Sequence, residues 1–185
     1  MIVHFIRHAQ AIKRSSTVPD ELRYLSCRGR KRFRKVSCSL HKQKIDPDYI
    51  FASTKTRAVQ TADILAETLG FQGEVIVTPL LNDFSLQSLN DLLQQYPSAE
   101  EFAIVGHDPD FSSAVRQLLN LSSCTVTKGC VVTLNIITDQ QTLKADMTSL
   151  ITGGAKTVCN PHKAIAWLQK DHKNMQEGEP KCLIP

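Results

Sequence analysis

Ile2-Val3-His4-Phe5-Ile6-Arg7-His8-Ala9 is the stretch that decides the fold, a compact apolar run that ends in two polar side chains. A short apolar run bounded in this way is typical of a buried strand. The stretch lacks the basic region and the small-residue cleavage site of a signal peptide, so we interpret it as the first strand. Further along, short apolar runs alternate with helical periods, which predicts an α/β layered fold.

The same patterns predict the remaining elements of one domain, 1–174, followed by a flexible tail at 175–185. We expect further strands at 49–52, 74–77 and 102–105, and an edge β-hairpin of 131–137 and 142–150 that turns at Asp139-Gln140. Helices are expected at 26–42, at 55–69, from Leu86 to near Pro97, at 111–119 and from Pro161 to Leu168. Ser26, Gly70 and Pro161 supply capping signals. Residues 9–25 form a long loop directly after His8, placed to cover a pocket there.

Composition narrows the class of protein. The chain has 185 residues and an ordinary apolar fraction of 42%. It has no apolar run of the roughly 18–20 residues that cross a bilayer, so we expect no membrane association. Its six cysteines form no C-x-x-C pair and no zinc-ligand spacing, which favours reduced thiols and a cytoplasmic protein.

The charge is unevenly distributed along the chain. Residues 1–44 hold twelve Lys or Arg against Asp20 and Glu21, a net charge of +10, whereas the whole chain carries +4. The helix at 26–42 is therefore a candidate surface for an acidic protein partner, although a solvated basic face explains the same charges. The basic run lacks the repeated aromatic residues on which bases stack, so we do not expect nucleic-acid binding.

Reactive side chains follow three of the expected strands. The first strand ends in Arg7-His8, the second leads through Ser53 to Arg57, and the fourth ends in Gly106-His107. Taken singly, each has an ordinary interpretation as a loop histidine or a surface charge. Ligands of open α/β sheets, however, bind at the carboxyl ends of parallel strands. If these strands are parallel, two histidines and two arginines share one crevice.

That grouping suits phosphoryl transfer. Two guanidinium groups can clamp the oxygens of a phosphoryl group. One imidazole can attack phosphorus while the second stabilises charge on the transferring group. Arginine and histidine supply the positive field, so we expect neither a metal ion nor a cofactor.

Four spaced motifs resemble those of the histidine phosphatase superfamily, which includes the phosphoglycerate mutases, and most of all its shorter SixA-like phosphohistidine phosphatases. The matching segments are Arg7-His8-Ala9-Gln10-Ala11, Leu25-Ser26-Cys27-Arg28-Gly29-Arg30, Ser53-Thr54-Lys55-Thr56-Arg57-Ala58-Val59-Gln60-Thr61-Ala62 and Gly106-His107-Asp108-Pro109-Asp110-Phe111. The resemblance implies a three-layer α/β/α sandwich around a mostly parallel sheet.

The resemblance also implies a role for each matched residue. His8 would become phosphorylated, and Arg7, Arg57 and His107 would complete the phosphate pocket. Ser53 and Gln10 join Arg7 and Arg57 as expected substrate-binding residues. Water would then hydrolyse the phosphohistidine intermediate.

One departure from the family pattern affects the proton donor. Many members carry a glutamate after the third strand, where this chain has Leu80. Asp83 is the only carboxylate in that segment and is the candidate proton donor. The alternative is that Asp83 caps the helix that begins near Ser85. Without the glutamate, the chemistry favours good leaving groups such as imidazole over alkoxides.

The leading interpretation is therefore a metal-independent phosphatase acting on phosphohistidine, with a phosphorylated protein as its expected substrate. A small-molecule phosphatase or mutase of the same superfamily is the first alternative. A phosphate-binding module that has lost catalysis is the second, although binding alone does not require a nucleophile at His8. A nucleic-acid binder is supported only by charge, and a steep salt dependence of binding would favour it.

Overall fold

A seven-stranded mixed sheet organises the chain. The computed structural model describes residues 1–139 and 142–170. The strands are β1 (Ile2–Arg7), β2 (Tyr49–Ala52), β3 (Val75–Val77), β4 (Glu101–Gly106), β5 (Val131–Asp139), β6 (Thr142–Ile151) and β7 (Thr157–Val158). The helices are α1 (Cys27–Lys42), α2 (Thr56–Leu69), α3 (Leu86–Gln95), α4 (Asp110–Leu118) and α5 (Pro161–Leu168).

The strand order is β3-β2-β4-β1-β5-β6-β7. The first four strands in this order are parallel, and β5, β6 and β7 each pair antiparallel with the strand before them. The parallel half and the antiparallel hairpin at its side are confirmed. The parallel arrangement brings the carboxyl ends of β1, β2 and β4 to one edge of the sheet, as the convergence of the reactive residues requires.

Both faces of the sheet are covered, which confirms the three-layer architecture. Side chains alternate across a strand, so Phe5 and Ile6 of β1 enter different apolar cores. Phe5 packs in the cluster that holds the buried faces of α3, α4 and α5. Ile6 packs in the cluster built from α1 and α2, with Phe33 and Leu65 among its members. The two cores hold β1 rigidly in the middle of the molecule.

The capping signals act as expected. The Ser26 hydroxyl accepts from the Gly29 amide at the start of α1. Gly70 ends α2 in the left-handed conformation, and Pro161 opens α5. The sequence patterns missed β7 and two short 3₁₀ turns, at Asp20–Leu22 and Pro79–Leu81, because two or three residues show no periodicity.

Some expectations fall beyond the part that the structure describes. The Gln140 half of the hairpin turn and the tail at 175–185 lie outside it, so the domain boundary at residue 174 stays a prediction. No helix among the described residues is both long and apolar enough to cross a membrane. The five cysteines within 1–139 and 142–170 are free thiols.

Candidate active site

The end of β1 presents His8 as a neutral imidazole. Its amide donates to the carbonyl of Gly106 at 3.0 Å, so the residue still follows the sheet. Its ring is 6% exposed, and Nδ1 lies 2.7 Å from the Ala9 carbonyl oxygen. A carbonyl only accepts, so Nδ1 carries the hydrogen and Nε2 carries the lone pair. Burial lowers the pKa of His8 well below its usual value, and the nearby cations lower it further. His8 therefore has the form that a nucleophile needs.

The first turn of α2 places Arg57 beside this lone pair. The Arg57 Nε donates to His8 Nε2 at 3.2 Å, and the residue is only 4% exposed. A guanidinium at this distance from a nucleophile can bind the oxygens of the group that the nucleophile attacks.

His107, after β4, forms the second wall of the pocket. Its ring centroid lies 5.1 Å from that of His8, and Ser53 Oγ lies 2.5 Å from His107 Nε2. Burial, followed by the charges of Arg57 and Lys55, lowers the pKa of His107 to about 3. Among the described residues, His107 Nδ1 is buried without a hydrogen-bond partner. Ser53 thus orients an imidazole that retains unused hydrogen-bonding capacity.

Arg7 contributes positive charge close to both imidazoles. Its Nη1 donates to the Val126 carbonyl at 2.8 Å and lies 3.7 Å from Asp108 Oδ2. Its Nε is buried and has no partner in the described part of the chain. Its charge is one of the influences that lower the pKa of both His8 and His107. The structure therefore brings the four expected catalytic residues together.

Gln10 and Asp83 lie outside this cluster. The Gln10 backbone carbonyl accepts from Ser26, and Gln10 lines a neighbouring cavity. Asp83 is exposed, and within the described residues no hydrogen bond or ion pair joins it to the pocket. The expectation that Asp83 caps the next helix is wrong: Ser85 caps α3, in a reciprocal pair with Ser88. Ser85 directly precedes α3, so its hydroxyl can accept from the Ser88 amide in the first turn. Asp83 is two residues further from the helix, which explains why Ser85 is the cap.

Asp20, which the sequence did not identify as a site residue, lies next to Arg57. Its Oδ2 accepts from Arg57 Nη2 at 2.9 Å, and its Oδ1 accepts from Arg14 Nε at 3.1 Å and Arg23 Nε at 3.0 Å. Burial by itself would raise the pKa of Asp20, but Arg57, Arg14 and Arg23 together lower it to about 2. One signal was available, since Asp20 and Glu21 are the only carboxylates among twelve cations in residues 1–44.

The loop that carries Asp20 is folded against the pocket. Ile12 donates its amide to the Tyr24 carbonyl at 3.0 Å, and Arg23 Nη1 donates to the Ile12 carbonyl at 2.8 Å. Asp20 begins a 3₁₀ turn. The Asp20 backbone carbonyl also accepts a hydrogen bond from Arg57 Nη1 at 2.5 Å. The loop at 9–25 therefore covers the Arg57 side of the site and places the Asp20 carboxylate against the Arg57 guanidinium.

The lowered pKa values of the two imidazoles can be measured directly. We expect neither His8 nor His107 to gain a proton between pH 8 and pH 5, because burial favours the neutral ring. Nitrogen chemical shifts, assigned with the His8→Ala and His107→Ala variants, should stay constant over this range. The unfolded chain binds protons on these rings below about pH 6.5, so their burial removes stability as the pH falls through that value. A mid-point near pH 6.5 for either ring would contradict the buried neutral state.

Comparison with known proteins gives one family match and several similar folds. The family model of the histidine phosphatase superfamily (branch 1) matches residues 3–113. No curated protein sequence matches the chain.

Solved structures share the fold at low sequence identity. The protein histidine phosphatase SixA, solved with tungstate, is 18% identical and superposes with a TM-score of 0.72, covering 83% of this chain and 97% of its own. The α-ribazole phosphatase of Shigella flexneri is 17% identical with a TM-score of 0.60, covering 80% and 95%. A mycobacterial glucosyl-3-phosphoglycerate phosphatase, solved with VO3, is 16% identical with a TM-score of 0.61, covering 79% and 96%. With the family model spanning more than half of its length, this chain belongs to the histidine phosphatase superfamily and is a phosphatase of its first branch.

Proposed function

We propose that this phosphatase acts on phosphohistidine of another protein, without a metal ion, through a phosphohistidine intermediate on His8. The observation that carries the proposal is the unprotonated Nε2 of His8, which lies 3.2 Å from the Arg57 Nε. The other ring nitrogen, Nδ1, donates to the Ala9 carbonyl and so fixes the orientation of the ring. A histidine that serves only packing has no need to place its lone pair inside a cluster of cations. The SixA and mycobacterial neighbours were solved with tungstate and VO3, oxyanions that resemble a phosphoryl group.

The proposed reaction has two displacements. In the first, the lone pair of His8 Nε2 forms a bond to phosphorus, and the bond from phosphorus to the leaving nitrogen breaks. The electron pair stays on the departing imidazole, which takes a proton from water. In the second, water attacks phosphorus, the bond to Nε2 breaks, and its electron pair returns to His8. The proton of the attacking water passes to solvent, and inorganic phosphate leaves. Arg57, Arg7 and His107 stabilise the charge on the phosphoryl oxygens in both steps.

The leaving group decides how much acid catalysis the reaction needs. Leu80 stands where the family resemblance leads us to expect a glutamate, and an alkoxide without a proton donor is a poor leaving group. A missing general acid typically slows a reaction by about 10²–10⁴-fold. We therefore expect kcat/KM for a phosphohistidine peptide or acetyl phosphate to exceed that for an alkyl phosphomonoester by at least about 100-fold. Equal turnover of the two substrate classes would contradict the proposal and favour a general small-molecule phosphatase.

Asp83→Asn tests the remaining candidate for the acid. The exposed position of Asp83 leads us to expect a change of less than about twofold with either substrate class, since no proton transfer is lost. A selective loss of alkyl phosphomonoester turnover in this variant would instead assign the proton donor to Asp83.

The partner and the location of the protein are supported by two separate features. We propose that α1 meets an acidic region of the phosphorylated partner, because Lys31, Arg32 and Lys35 are exposed along it. We also propose a cytoplasmic location, which the free thiols at Cys27, Cys38 and the other described cysteines support.

A further inference from the structure

A cavity of about 330 Å³ opens beside the residues that follow His8, with Ala9 and Gln10 in its lining. Its walls come from the residues after β1, the first two turns of α1, the turn before β5, the turn after β6, and Trp167 of α5. Since β6 is antiparallel to β5 and β5 to β1, all these turns lie at the same edge of the sheet as His8.

Close backbone contacts fix the walls of this cavity. Gly29 packs so tightly that a Cβ there would overlap the Gln10 carbonyl oxygen, and a Cβ at Gly153 would overlap the Lys128 carbonyl oxygen. The amide of Gly129 donates to the carbonyls of Arg7 at 3.0 Å and His8 at 3.2 Å. The turn that carries Lys128 is thus tied directly to the catalytic strand, so the cavity is already formed without a ligand.

The cavity is strongly cationic. Arg28, Arg32 and Lys128 line it, and no carboxylate does so in the part of the chain that the structure describes. Burial lowers the pKa of the Lys128 ammonium, as do the charges of Arg7, Arg23 and Arg57. The positive field of the phosphoryl pocket therefore continues into the cavity.

The cationic surface also extends beyond the cavity. Arg28, Arg32 and Lys35 are spaced by four and three residues, which places them on one face of α1. A small anion would occupy only part of this cavity and would leave Lys35, which lies outside it, unused. An acidic polypeptide can contact the whole row.

Resting on the proposed function, we propose that this cavity is a second anion subsite, which binds a glutamate or aspartate side chain of the substrate polypeptide. The carboxylate lies against Lys128 and Arg32 while the phosphoryl group of the same polypeptide occupies the His8 pocket. The subsite selects phosphohistidines that have acidic neighbours.

Two phosphohistidine peptides that differ only in flanking Glu or Gln residues test the subsite. We expect the native enzyme to prefer the Glu peptide by about tenfold in kcat/KM, with less preference at high salt. The double variant Lys128→Gln/Arg32→Gln should lose the preference while its turnover of acetyl phosphate and the Gln peptide stays unchanged. Lys42→Gln, at the far end of α1, removes one charge outside the cavity and should keep the preference.

A charge reversal keeps the test decisive if the double variant folds poorly. Arg32→Glu, at an exposed position, should reverse the order and favour a Lys-flanked peptide over the Glu peptide. A preference for the Glu peptide that survives these substitutions would overturn the subsite. The subsite would also be overturned if the native enzyme turned over acetyl phosphate but showed no preference between the Glu and Gln peptides. If the loss of Lys128 slowed tripolyphosphate hydrolysis but left the turnover of both peptides unchanged, the cavity would bind a small polyanion. That result would overturn the proposed polypeptide ligand. Absence of turnover and of His8 labelling in the native protein would instead refute the proposed function itself.

Discussion

Replacing His8 with alanine should abolish formation of a phosphoenzyme and lower turnover by about 10⁴-fold or more, since nothing else in the pocket offers a neutral nucleophilic nitrogen in the same place. The ring Nε2 of His8 lies 3.2 Å from the Arg57 Nε, and the alanine side chain cannot replace it. The fold should survive, because His8 packs among polar groups and its backbone bond to Gly106 does not need the ring.

The measurement is covalent trapping. The protein is incubated with radiolabelled acetyl phosphate, quenched in alkali, where phosphohistidine is stable, and the label is located by mass spectrometry. His41→Ala, which removes an exposed imidazole at the end of α1, is the matched control and should label normally. Label that persists in His8→Ala, or its absence from a native protein that turns over substrate, would rule out His8 as the nucleophile.

Replacing Arg57 with alanine should lower kcat/KM by about 10³-fold, the size of effect seen when a positioned donor or arginine is removed from a transferring group. Arg57→Lys should recover only part of this loss, because an ammonium keeps the charge without the planar fork. The affinity for inorganic phosphate, measured as product inhibition, should weaken in both variants. If kcat/KM of Arg57→Ala stayed within about tenfold of the native value, Arg57 would not be the residue that binds the phosphoryl oxygens.

Asp20→Ala is the informative control for Arg57. It removes the carboxylate that accepts from Arg57 Nη2 while leaving the guanidinium in place. Since Asp20 occupies a donor that a phosphoryl oxygen would use, we expect Asp20→Ala to bind inorganic phosphate several times more tightly. If Asp20→Ala instead lost as much activity as Arg57→Ala, the carboxylate would be a positioning residue for Arg57 rather than a competitor of the substrate.

The layered fold was predictable because its signals are local. The run from Ile2 to Ile6 identifies a buried strand from neighbouring residues alone. Ser26 and Gly70 mark helix ends through hydrogen bonds and backbone angles within one turn. Thr157–Val158 was not predictable, since a two-residue strand owes its geometry to the edge of β6.

The core of the site was predictable for a topological reason. Arg7 ends β1, His8 and His107 directly follow β1 and β4, and Arg57 lies in the first turn of the helix after β2. Parallel strands bring their carboxyl ends together whatever the details of packing. Asp83 shows the limit of this reasoning: its position in the chain suggested a helix cap, yet Ser85 takes that role.

The sequence by itself determined the strand–helix order, the two histidines and two arginines of the pocket, and the excess of cations in the first 44 residues. Only the tertiary structure decided that Asp20 reaches Arg57, 37 residues away, and that Lys128 and Arg32 share a cavity beside His8. The physical reason is range. Strand and helix signals arise among residues a few positions apart, whereas these contacts depend on how distant loops pack against one edge of the sheet.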